Sequence, residues 1–86
     1  MLNARDEASF TQAAAYAMQW TTPDFKSARV RARLTQAELA RRVGITQSRL
    51  SRFEAGKAEL NTEQVLRVIQ EIIRAQGEVD ALRSQN

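Results

Sequence analysis

Neither cysteine nor histidine occurs anywhere in the 86 residues of this chain. Without cysteine there is no disulfide framework, no thiolate nucleophile and no cysteine-based zinc site. Without histidine, the commonest general base and the commonest metal ligand are both missing. Aspartate and glutamate remain as ligands for a hard metal, but none are spaced as a calcium loop or a paired-carboxylate site requires. The inventory argues against an enzyme: no catalytic residue, no metal site and no cofactor is expected. Long apolar runs are also lacking, since none approaches the ~18 residues of a membrane span. The opening stretch "MLNARDEASF" has neither the cationic start nor the apolar centre of a signal peptide. These absences lead to the expectation of a soluble cytoplasmic protein built as one small domain.

Glycine and proline are scarce as well, at three and one, while Ala, Leu, Gln, Glu and Arg are abundant. No stretch sustains the period-2 alternation of a strand, so the fold class is all-α. A first helix is expected over residues 4–19, with Phe10, Ala13, Ala14, Ala17 and Met18 on one face. In "TTPDF", Thr22 caps and Pro23 opens a second helix running to about Arg33, burying Phe25, Ala28 and Val30 or Ala32. Thr35 caps a third over 36–43, and Glu38 completes a capping box. Gly44 ends it. Thr46 caps a fourth, residues 46–55, which Gly56 closes. Asn61 or Thr62 starts a fifth along Val65, Leu66, Ile69, Ile72 and Ile73, with Leu66 and Ile69 expected in the core. Gly77 weakens a continuation to Leu82 without forbidding it. The chain thus divides into an N-terminal helical extension (1–21), a central domain (22–76) and a tail or helix extension (77–86).

Charge is unevenly placed. Residues 25–57 hold nine bases against two acids, a net +7, whereas the segments before and after are each −2. A basic middle between acidic ends is the electrostatic footprint of a polyanion-binding protein. Within that middle, Ala40 and Gly44 remove bulk where two helices cross, and Ile45 fills the corner. Leu50 and Phe53 anchor the fourth helix, so at ~100° per residue Ser48, Ser51, Arg52 and Ala55 face away, with Arg49 on the flank. Gln47 and Ser48 sit in its exposed first turn. Gln bridges adenine bidentately, Arg does so to guanine, and Ser serves either base, so this face carries the inventory of a major-groove reader.

The segment "LTQAELARRVGITQSRLSRFEAGK" resembles the helix-turn-helix of the Cro/C1-type (Xre-like) DNA-binding family, which includes the lambdoid phage repressors. Leu34-Thr35-Gln36, Ala40, Gly44, Gln47, Leu50, Glu54 and Gly56-Lys57 carry the likeness, which extends over roughly 25–73. The resemblance implies a compact lambda-repressor-like domain of about five helices around one core, with residues 1–20 as an addition. Carried over by position, Gln47, Ser48 and Arg52 would lie at bases, and Thr46 beside them and Arg49 on the flank are counted as further base-contact candidates. Gln36, Arg41 or Arg42, and Lys57 would lie at phosphates. Arg29 and Glu54 match a structural salt bridge. Arg33 departs from the family, many members of which have glycine there with φ > 0.

Such a module implies a bacterial or phage transcriptional regulator, in the first place a repressor, that binds double-stranded DNA as a homodimer on a palindromic operator. Ile72, Ile73, Val79 and Leu82 are the expected dimer interface. Two alternatives follow from the same resemblance. One is an antitoxin that neutralises a protein toxin and represses its own operon, with Phe10, Tyr16 and Trp20 as toxin-binding candidates. The other is the controller protein of a restriction–modification system.

Overall fold

The computed structural model describes residue 12 and residues 15–84. Its helices are α1 (Thr22–Arg31), α2 (Gln36–Val43), α3 (Gln47–Glu54) and α4 (Thr62–Ser84). Residues 15–17 are also helical, and the chain then turns as the Gln19 N–H donates to the Tyr16 carbonyl and that of Trp20 to Ala17. Phe10, Ala13 and Ala14 lie outside the described residues. Ala17 is fully buried, but Met18 is half exposed, because it falls in this turn and leaves the expected helical face.

The cap of α1 is Thr21, one residue earlier than the sequence suggested. Asp24 decides this: its Oδ2 accepts from the Thr21 N–H at 2.8 Å and from the Thr21 hydroxyl at 2.9 Å. These two bonds hold the Asp24 carboxyl below its ordinary value of 3.8, the backbone bond having the larger effect. Phe25, Ala28 and Ala32 are buried, and Val30 is exposed. The helix stops at Arg31 rather than Arg33, and Arg33 adopts φ 59°, in the left-handed region. A left-handed conformation costs an L side chain about 1–2 kcal/mol.

Thr35 caps α2 by accepting from the Glu38 N–H at 3.0 Å, while its hydroxyl donates to Glu38 Oε1 at 3.2 Å. Gly44, at φ 84°, sets the turn into α3, which Thr46 caps by accepting from the Arg49 N–H. In α4, Asn61 is the cap: its Oδ1 accepts from the Gln64 N–H at 2.8 Å, and the Gln64 side chain accepts from the Asn61 N–H in return. The helix runs unbroken through Gly77 to Ser84, so 77–84 is a helix extension and not a tail.

Leu39, Leu50, Val68 and Ile69 are the largest fully buried side chains, one from α2, one from α3 and two from α4. Each contributes about 1.5–3 kcal/mol through burial. Ala17, Phe25, Ala28, Ala32, Leu34, Ala40, Phe53, Ile72 and Ala75 complete the cluster, and Trp20 packs against it. Trp20 meets Phe25 edge to face with ring centroids 5.2 Å apart, and Phe25 meets Phe53 at the same distance. Leu66, expected in the core, is 42% exposed. The buried stripe of α4 runs through Val68, Ile69, Ile72, Ala75 and Val79, and Leu66 lies about 120° around the helix from Ile72. Among the described residues, no helix is long and apolar enough to cross a membrane.

Candidate nucleic-acid interface

The turn between α2 and α3 depends at Gly44 on backbone conformation, and not on the removal of bulk that the sequence suggested. Ala40 is buried, and its carbonyl accepts both the Gly44 N–H at 2.9 Å and the Ile45 N–H at 3.0 Å. A Cβ built on Gly44 would meet nothing within 4 Å, so backbone conformation and not space selects glycine. Half-buried Ile45 fills the corner. Leu50 and Phe53 then seat α3 on the core by its inner face.

That seating turns a polar face outward. Thr46, Gln47, Ser48, Ser51, Arg52 and Ala55 are all exposed. Arg49 is half-buried on the flank, and its Nη2 donates to the Glu59 carbonyl at 3.3 Å, tying α3 to the following loop. Lys57 is exposed, and its N–H donates to the Arg52 carbonyl at 2.8 Å, closing α3.

The two acids of the basic middle are both engaged inside the molecule. Glu38 belongs to the cap of α2. Glu54 is buried, and its carboxylate accepts from Arg29 Nε at 2.7 Å, Arg29 Nη2 at 3.1 Å and Gln36 Nε2 at 3.0 Å. Arg29 Nη1 also donates to the Leu34 carbonyl at 2.8 Å. One carboxylate thus joins the end of α3 to α1, to the loop before α2 and to the first residue of α2. The outward face of α3 is left without an acid to repel a polyanion.

The phosphate candidates are placed unequally. Arg41 and Lys57 are exposed. Gln36 is half-buried and shares its amide with Glu54. Arg42 is turned toward α4, with Nη1 3.7 Å from Glu71 Oε2. Glu71 is buried, and Arg67 and Arg74 lie 3.9 and 3.8 Å from its other oxygen. Sequence reasoning missed this carboxylate. Its spacing from Arg67 and Arg74 (i,i+4 and i,i+3) was a legible signal for a helix-surface pair, whereas Arg42 comes from another helix.

Of the expected interface residues, Ile72 and Val79 are buried within the chain and Ile73 is partly buried against the core. Ile72 and Val79 are thus not available to a partner surface, a correction that follows from the orientation of the α4 stripe. Leu82 continues that stripe three residues beyond Val79 and is 58% exposed.

A family model described as helix-turn-helix matches residues 25–72, more than half of the chain. The chain belongs to the Cro/C1-type helix-turn-helix family. It is a DNA-binding regulator in the general sense of that family, whose members are not generally enzymes. No curated protein and no solved structure matches the chain significantly.

Proposed function

We propose that the protein is a sequence-specific transcriptional repressor that binds a two-fold operator as a homodimer. The observation that carries this reading is the outward face of α3: Gln47, Ser48 and Arg52 are exposed while Leu50 and Phe53 hold the helix from behind. Gln47, Ser48 and Arg52 read base edges, and Thr46 lies beside them. Arg49 sits at the border of this surface and has a contact of its own within the chain. Gln36, Arg41 and Lys57 meet phosphates, supplying affinity rather than specificity. Arg42 joins them only by leaving Glu71.

Leu82, 58% exposed near the end of α4, offers apolar surface to a second copy. A dimer places its half-sites about 34–36 Å apart, one helical turn of DNA. Selection of bound duplexes from a random pool, followed by a salt titration, tests the reading. The expected result is a pseudo-palindrome with that spacing. Equal retention of all sequences would overturn it.

One observation favours the antitoxin as a second reading. Tyr16 and Met18, two residues apart in the segment that Trp20 anchors, are 71% and 50% exposed. Paired apolar exposure of this kind suits a protein partner. Deleting residues 1–20 is a poor test, because it removes Ala17 and Trp20 from the core. Tyr16→Asp with Met18→Asp leaves the core in place: loss of a bound toxin with retained DNA binding supports the antitoxin, and unchanged toxin binding rejects it.

A further inference from the structure

Three of the described helices end on a residue in the left-handed conformation. After α3 it is Gly56, at φ 74°. There the Gly56 N–H donates to the Phe53 carbonyl at 3.0 Å and the Lys57 N–H to the Arg52 carbonyl at 2.8 Å. The same pair of bonds recurs after α1, where the Arg33 N–H donates to Val30 at 3.0 Å and the Leu34 N–H to Arg29 at 3.2 Å. After α2 the residue is Gly44. The device therefore uses glycine twice and arginine once, and Arg33 is the one non-glycine with positive φ among the described residues. The turn requires the conformation, which glycine provides without strain. It does not require arginine. A strained residue standing where glycine would serve points to a use for its side chain.

The surroundings of Arg33 say what that use is. Leu34, next in the chain, is buried, and its carbonyl is held by Arg29, which Glu54 holds in turn. Glu54 also binds Gln36. The loop carrying Arg33 is thus fastened both to the end of α3 and to the first residue of α2. Arg33 itself is exposed, and among the described residues it takes part in no ion pair. It lies three residues before Gln36, within about 11 Å along the chain. A cation on a rigid loop outside the groove-facing helix has phosphates and not base edges within reach.

We propose that Arg33 is a DNA-phosphate contact, flanking the one made by Gln36 and adding one ionic contact per subunit. This rests on the reading of the protein as a binder of duplex DNA. The test compares the full-length parent with Arg33→Gly and Arg33→Lys, on the selected operator and on a random duplex, across a salt titration. Arg33→Gly is expected to weaken both duplexes by the same factor. It also lowers the steepness of log K against log salt by about 0.9 per bound subunit. Its thermal midpoint is expected to be no lower than the parent's, because glycine relieves the strain, and Arg33→Lys keeps the parental slope. Parental affinity and slope in Arg33→Gly would overturn the proposal while leaving the DNA-binding reading intact. So would a lowered thermal midpoint with equal weakening in Arg33→Lys, which marks a structural role. A parent that binds no duplex at any salt concentration overturns both.

Discussion

Arg29 and Glu54 stand 25 residues apart in the sequence and meet through Arg29 Nε and Glu54 Oε2 at 2.7 Å, with both side chains almost wholly buried. Removing one partner strands a buried charge, so Glu54→Ala or Arg29→Ala is expected to lower stability by about 3–5 kcal/mol. Denaturant unfolding measures it. If Glu54→Ala folded with parental stability yet lost all base discrimination, Glu54 would have to be reassigned from scaffold to DNA contact.

Glycine substitutions should act with opposite signs at two positions. Gly44 has φ 84° and open space around its missing Cβ, so Gly44→Ala pays for conformation alone, about 1–2 kcal/mol. Gly77 lies inside α4, also with nothing within 4 Å. Gly77→Ala is expected to stabilise the protein by roughly 0.5–1 kcal/mol. Thermal unfolding of the two variants checks both signs, and a destabilising Gly77→Ala would mean that the helix does not run through.

Arg52→Ala is expected to relax the preference at a single base pair by ~1–3 kcal/mol while sparing the others. Competition between the operator and its single-base variants reads this out. A loss of equal size on random DNA would place Arg52 at a phosphate.

Much of this arrangement was legible in the chain because its signals are local. Thr35 with Glu38, Gly44, and Thr46 are positions where a turn or cap dictates residue type within four neighbours, and the bounds of α2 follow from them. Thr21 and Thr22 show the limit: both are capable caps, and only the bonds of Asp24 choose between them. Burial along α4 was less legible. Apolar spacing placed Leu66 in the core and Ile72 and Val79 at a partner surface, whereas the contacts of α4 with α2 and α1 set the rotation of the stripe. Those contacts are long-range, and the burial of Glu71 beside Arg42 arises in the same way.

Leu82 gives a prediction for assembly. Leu82→Glu puts a charge on the exposed end of the α4 stripe without touching the buried cluster. Sedimentation is expected to shift toward monomer, and operator affinity to fall while the affinity for an isolated half-site stays constant. An unchanged dimer would move the interface elsewhere.

The Asp24 carboxyl titrates below its ordinary value of 3.8 because the Thr21 N–H and hydroxyl donate to its charged form. A group depressed in the folded state stabilises above the unfolded value, and that contribution is lost as pH falls through the folded one. Asp24→Asn is therefore expected to lower stability at neutral pH and to flatten the acid limb of the stability curve below 3.8. Thermal midpoints from neutral to strongly acidic pH test this. A parental acid limb in Asp24→Asn would show that the cap carries none of it.

The ring contacts from Trp20 through Phe25 to Phe53 reach from the N-terminal segment to the back of α3. Trp20 is the only tryptophan in the chain. The protein therefore carries its own optical probe at that junction, whose emission reports on how the N-terminal segment sits against the helix that we propose faces DNA. A binding event at either end can be followed from the other without attaching a dye.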